Sequence, residues 1–151
     1  MSENSEVLIS EQALVVPFNY SAGPVASRFF VALRDEQKIY GLKCAKCGQV
    51  QVPPRATCGA CFIKMDEWVE VGPDGNLDNF TVVHYQESTH PAAAPFAVGI
   101  IRLDGADTGL VHLVALSEDG ELKVGMRVSP VWARERRGHI LDLECFAPAV
   151  S

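Results

Sequence analysis

The sequence has no apolar run approaching the length of a membrane span, which excludes a membrane-crossing helix. Its first residues, M-S-E-N-S-E, lack the basic start and apolar stretch of an export signal. The expectation is a soluble cytoplasmic chain whose thiols stay reduced. No serine-nucleophile motif accompanies the histidines, so no catalytic residues are expected. His84 and His112 sit in apolar, strand-like stretches where a hydrogen-bonded barrel histidine is the ordinary role, and His90 lies in the loop T-H-P-A-A-A-P. Internal repeats and low-complexity tracts are also missing.

Cysteine is present, and concentrated. Four of the five cysteines fall in residues 43–62, K-C-A-K-C-G-Q-V-Q-V-P-P-R-A-T-C-G-A-C-F. Cys44 and Cys47 form one C-x-x-C, and Cys58 and Cys61 form a second. Two such turns present four thiolates to one ion from opposite sides, the tetrahedral arrangement of a structural zinc site. A glycine stands next to each pair, Gly48 and Gly59, where backbone room lets amides point at sulfur. Two disulfides would suit a secreted chain, and a redox site needs one C-x-x-C at a helix start. Iron would take the same four thiolates in the same geometry. With no open ligand position, the metal is expected to hold the fold and take no part in chemistry. Cys145, in the apolar run 140–146, is expected to be a buried, inert thiol.

The net charge of −6 is unevenly spread. Residues 1–24 carry −3, residues 25–64 carry +5, and residues 65–151 carry −8. Four thiolates with a divalent ion reduce the middle segment to +3, and it remains the cationic part. A strongly acidic remainder with few exposed-looking aromatics argues against a single-strand nucleic-acid binder, which ribbons and small barrels otherwise suit.

The expected architecture is mainly β, in three parts: an extended arm over 1–23, a helix plus rubredoxin-like zinc ribbon over 24–66, and an OB-fold barrel over 67–151. The arm holds an apolar patch at 13–18, too apolar to be left in water, which points to docking on this chain or on a partner. Ser21-Ala22-Gly23-Pro24 starts a helix, and Val25, Phe29, Phe30 and Leu33 give it an apolar face to about Gln37. Strands 39–43 and 49–52 flank the first cysteine pair, with Val50 and Val52 on one face and Gln49 and Gln51 on a polar one. Further strands are expected at 67–71, 77–86, 96–103, 110–116, 127–133 and 140–146. Turns fall at 72–75, Asp104-Gly105, Asp119-Gly120 and Arg137-Gly138, and residues 120–125 form a connector. Gly99 suggests a bulge or bend, and Arg134-Glu135-Arg136-Arg137 a solvated hairpin tip. That many short strands suit a small closed barrel.

In order, helix, C-x-x-C-G, V-P-P-R, C-x-x-C, D-E-W-V-E-V-G-P-D-G, F-T-V-V-H and P-F-A-V-G-I-I-R-L-D resemble the zinc-ribbon/OB-fold proteins grouped as domain of unknown function 35. The resemblance covers residues 25–146 and carries the ligand set over to Cys44, Cys47, Cys58 and Cys61. It implies an accessory subunit of an enzyme acting on coenzyme A thioesters, most often a thiolase and sometimes a MaoC-type enoyl-CoA hydratase. It also implies help in seating the acyl-CoA and completing the partner's active site.

Charge then suggests where coenzyme A would lie. Its nucleotide end is anionic and its pantetheine arm is largely apolar, so cations at one end and a dry groove at the other are needed. The expected contacts are Lys43, Lys46, Arg55 and Lys64 on the ribbon, with pantetheine running along the ribbon–barrel junction toward the P-A-A-A-P-F loop and Phe96.

Overall fold

Pro24 in the first turn and the spacing of Val25, Phe29 and Leu33 produce α1, which spans Gly23–Asp35 in a computed structural model describing residues 8–12, 14, 16–116 and 122–149. The helix ends two residues earlier than its apolar period suggests. Glu36 closes it by donating its N–H to the Ala32 carbonyl, and Gln37 turns the chain with φ 54. Ser21 sits just outside, its Oγ accepting the Gly23 N–H at 3.2 Å. The described residues before Gly23 have no regular secondary structure; positions 13 and 15 of the expected apolar patch lie outside the description.

Three short strands build the ribbon: β1 (Ile39–Lys43), β2 (Val50–Gln51) and β3 (Glu67–Val71), in sheet order β2-β1-β3. All five residues of β3 pair with β1, from Ile39 against Val71 to Lys43 against Glu67. By pairing, β3 therefore belongs to the ribbon sheet, although the expected boundary at 66/67 gave it to the barrel. Gln51 also departs from expectation. It is buried on the metal side, where Cys58 Sγ of the second knuckle lies 4.0 Å from its Nε2, while Val50 and Val52 meet the shared core on the other face.

The remaining strands close on themselves: β4 (Gly75–Val83), β5 (Phe96–Leu103), β6 (Leu110–Val114), β7 (Arg127–Trp132) and β8 (Leu143–Pro148) form a barrel in order β4-β5-β6-β8-β7. The closing seams are short, β4 meeting β7 at Gly75 and Asn76 and β6 meeting β8 at Val114, as in the partly open barrel of an OB-fold. Leu77, Ile101, Leu103, Leu110, Val128, Leu143 and Phe146 fill its interior. Gly99 is not at a bulge. It lies in unbroken register between Phe80 and His112, and a Cβ there would meet Leu77 Cδ1 at 2.5 Å, so glycine is needed to let Leu77 into the core. The irregularity falls opposite, between Leu77 and Asn79.

Other boundaries shift for identifiable reasons. β4 ends at Val83, which leaves His84 exposed beyond it and not in a strand. β6 stops at Val114, two residues short of the expected 116. The run expected as a strand from Ile140 begins instead as a 3₁₀ turn, Ile140–Asp142. Asp142 imposes this: its carboxylate accepts the N–H groups of Arg137 at 2.9 Å, Gly138 at 2.7 Å and His139 at 3.1 Å. Burial pushes the Asp142 carboxyl up, but those three amides outweigh it and hold the pKa below the ordinary carboxylate value. Arg136, expected in solvent, is instead a strut. Its Nε donates to the Arg34 carbonyl at 2.8 Å and its Nη1 to the Ala133 carbonyl at 2.9 Å, tying the loop after β7 to α1. The turn at 119–120 lies outside the described residues.

His112 is the buried barrel histidine its apolar strand suggests. Its Nδ1 accepts the Leu113 N–H at 2.8 Å, which leaves the proton on Nε2 to donate to the Ile140 carbonyl at 3.2 Å. Burial lowers its pKa from the usual value. Cys145 is half-buried, and burial raises its thiol pKa, as an inert cysteine should show.

Helix, ribbon and barrel share one core. Phe29 and Leu33 of α1, Ile39, Val50, Val52 and Val71 of the ribbon, and the barrel residues form a single buried cluster. The loop between β5 and β6 completes the join. Asp107 accepts the Val50 N–H at 2.7 Å and returns its own N–H to the Val50 carbonyl at 2.9 Å; Thr108 does the same for Val52 with its hydroxyl. The outer edge of β2 is thereby paired without a strand.

Candidate metal centre and its surroundings

The sequence folds locally into two knuckles of one design, their first cysteines fourteen residues apart. In the first, Cys44 donates its N–H to the Gln49 carbonyl at 2.9 Å and Gly48 donates to the Cys44 carbonyl at 2.8 Å. In the second, Cys58 donates to the Ile63 carbonyl at 3.0 Å and Phe62 to the Cys58 carbonyl at 2.9 Å. Each knuckle turns on a left-handed residue, Gly48 with φ 76 and Phe62 with φ 57. Gly59, within the second pair, does not take a positive φ; in both knuckles the position after the cysteine pair does.

The four Sγ atoms lie within 4.8 Å of one another, and those of Cys47 and Cys58 are 3.8 Å apart. Four thiolates about 2.3 Å from one tetrahedral zinc ion would be separated by about 3.8 Å, so the cluster fits the ion. Cys44 and Cys58 are fully buried, Cys61 is intermediate and Cys47 is exposed. The electrostatics agree. The amide of Cys47, with that of Lys46, lowers Cys44 to about 7, whereas the neighbouring thiols of Cys47 and Cys44, with burial, push Cys61 up to about 12. Such a cluster ionises fully only around a cation. Leu42, Cys44, Cys58 and Met65 form its buried shell, joined by Val25 of α1, Ile63 and Trp68. Gln51 reaches into this shell: its Nε2 lies 4.0 Å from Cys58 Sγ and donates to Gln49 Oε1 at 3.0 Å, while its own Oε1 is buried without a partner.

The residues expected to contact coenzyme A fall into two groups. Lys43, next to Cys44, pairs with Glu67 at 3.3 Å. Lys46 and Lys64 are exposed on the first and second knuckles, and Lys64 bridges Thr57 through the backbone. Arg55 is exposed beside a cavity of about 160 Å³ at the ribbon–barrel seam, lined by Gln51, Val52, Pro53, Thr108 and Gly109. Phe96 is elsewhere. It begins β5, whose other end at Leu103 feeds the Asp107–Thr108 clamp, so roughly 23 Å of strand separates it from the seam. Its ring is buried against His90, centroids 5.2 Å apart, on a second cavity of about 410 Å³ lined also by Pro91, Leu113, Leu141 and Cys145. Sequence reasoning missed Gln51, Asp107, Thr108 and the exposed Phe62, whose roles follow from tertiary neighbours and not from any local pattern.

A four-cysteine ribbon joined through a short helix and a shared core to a five-stranded closed barrel defines a zinc-ribbon/OB-fold protein, and the metal is structural zinc. The chain belongs to the DUF35 family. Residues 31–64 match the ChsH2 rubredoxin-like zinc ribbon domain, and residues 68–133 match the ChsH2 C-terminal OB-fold domain. It is similar to a DUF35-family protein of unknown function from Sulfolobus solfataricus, 32% identical with a TM-score of 0.60, covering 72% of this chain and 78% of that one. A DUF35 domain-containing scaffold protein of Methanocaldococcus jannaschii is 25% identical over 103 residues, 68% of this chain and 72% of that one. The fold is shared with the solved structure of an Ltp2-ChsH2(DUF35) aldolase, with a TM-score of 0.62 and 24% identity, covering 87% of this chain and 100% of that one. Among the described residues no helix is long and apolar enough to cross a membrane.

Proposed function

We propose that this chain is a non-catalytic accessory subunit of an enzyme acting on coenzyme A thioesters, with a thiolase as the catalytic partner. The observation that carries the reading is the family membership taken with its relatives' names: one is described as a scaffold, and another stands beside a second protein, Ltp2, in a structure named as an aldolase. The arm V-P-F-N-Y-S-A-G-P narrows the candidate to benzoylsuccinyl-CoA thiolase, whose small subunit it resembles. In this reading the ribbon contributes cations for the nucleotide end of the ligand. Lys46, Arg55 and Lys64 make no ion pair among the described residues, so their charge is available, whereas Lys43 is partly satisfied by Glu67. Phe96 would contribute through the cavity at the far end of β5, and one ligand reaching both would run the length of that strand.

Affinity purification of the full chain from its host, followed by mass spectrometry, tests the reading. A thiolase-fold enzyme recovered in stoichiometric amount supports it. Recovery of nucleic acid without such an enzyme overturns it.

A further inference from the structure

The two knuckles differ at the position their backbone depends on most. Gly48 takes the left-handed conformation at no steric cost, but in the second knuckle a phenylalanine does so, its Cβ crowding the backbone. The ring of Phe62 gains nothing inside the chain in return: the residue is 82% exposed, while its neighbours Cys61 and Ile63 pack inward. The knuckle's closing hydrogen bond from the Phe62 N–H to the Cys58 carbonyl at 2.9 Å holds the left-handed backbone, but nothing in the described chain buries the apolar ring.

The arm supplies an independent observation at the same end of the molecule. Phe18 and Tyr20 are 74% and 81% exposed, with ring centroids 6.0 Å apart, and Val16 is also exposed. Residues 16–20 carry no charge and lead directly into α1, whose first-turn Val25 packs on the second knuckle's cluster with Cys61 and Ile63. The arm therefore leaves the folded body beside the knuckle that carries Phe62.

We propose that Phe62 and residues 16–20 form the docking anchor for the catalytic partner, the phenyl ring entering an apolar pocket on that subunit and the arm lying extended along its surface; the proposal rests on the accessory-subunit reading. Three exposed aromatics at 150–250 Å² each offer roughly 450–750 Å² of surface, close to the roughly 800 Å² per side of a standard interface. A separate protein is the fitting occupant, because the accessory-subunit reading already calls for one and residues 16–20 carry no charge, so they suit an apolar groove on that subunit.

The test uses the full zinc-loaded chain and the catalytic subunit recovered with it and identified by mass spectrometry, with affinity measured by calorimetry. Phe62→Gly should keep zinc content, melt at the parent temperature or above because the strain is relieved, and bind the partner ~30-fold more weakly, as loss of an aromatic hot spot does. The pair Phe18→Ser and Tyr20→Ser should also weaken binding without changing the melting temperature. Parent-like affinity of Phe62→Gly for a partner that the parent chain does bind would sink the anchor while leaving the accessory-subunit reading intact. Failure of the parent chain to bind any thioester enzyme would remove both. Dissociation of a homodimer by Phe62→Gly would make a second copy the occupant and overturn the proposal.

Discussion

The Thr108 hydroxyl satisfies both backbone groups of Val52, accepting its N–H at 2.8 Å and donating to its carbonyl at 2.9 Å. Val52 is 2% exposed, so neither group has water to turn to. One side chain on the barrel thus holds the edge of the ribbon sheet. Thr108→Val preserves the volume and removes both bonds, and the cost should be about 2–4 kcal/mol from two unpaired polar groups. Thermal melts would read this as a clear drop in melting temperature; an unchanged melt would mean the ribbon is held by its apolar seam alone.

Zinc should be a folding element of the ribbon. Cys58→Ser removes a fully buried ligand from the shell formed by Leu42, Cys44 and Met65. Binding free energy of roughly 10–16 kcal/mol is folding free energy in modules of this kind, so metal and ribbon structure should be lost together. Metal analysis with hydrogen exchange over residues 39–71 checks both. A folded, metal-free variant with parental exchange protection contradicts the account.

Acid should destabilise the barrel through His112. Its folded pKa lies below the unfolded value because burial disfavours the charged ring, so the unfolded chain binds the proton first. The stability His112 contributes is fully present above about pH 6.5 and falls as pH drops below that value toward the folded pKa. Comparing the parent with His112→Gln between pH 5 and 7 cancels the acid sensitivity of the zinc thiolates, which both share. The parent should show the steeper loss, and equal slopes would mean that another group is responsible.

If the ribbon cations meet the nucleotide end of coenzyme A, reversing Lys46 and Arg55 together should weaken acyl-CoA binding by the assembled complex about ten-fold or more at low salt, less at high salt, with zinc content unchanged. The comparison is reversal of Arg134 and Arg137, which are both exposed. Arg136 is unsuitable because it holds the loop to α1. Loss of binding from Arg134 and Arg137, with none from the ribbon pair, would move the site to the barrel loop.

Where the sequence alone was sufficient, a local pattern and its tertiary role coincide. β1, β3 and β5 fall on their expected residues, because alternation, a dense turn at 72–75 and glycine-flanked cysteines are all local signals. The metal ligands were legible for the same reason. What failed depended on distant partners. The run from Ile140 is as apolar as a strand, yet Asp142 gathers three loop amides and winds its first turn. Gln51 alternates like a surface residue and is buried because the second knuckle brings Cys58 over that face of β2. Asp107 and Thr108 look like ordinary loop residues until the ribbon is placed against them. Nothing local marks Phe62 as left-handed; the knuckle's closing hydrogen bond to Cys58 imposes it.

The central claim, that this chain assists another subunit's chemistry on a coenzyme A thioester, is tested most directly by reconstitution. The purified catalytic partner would be assayed with a 3-oxoacyl-CoA and free coenzyme A, and the consumption of free thiol measured, before and after adding the zinc-loaded chain. The account predicts no turnover by the chain alone, impaired turnover or acyl-CoA affinity in the partner alone, and recovery that saturates at a fixed ratio of the two. A partner that turns over and binds acyl-CoA identically with and without the chain contradicts it.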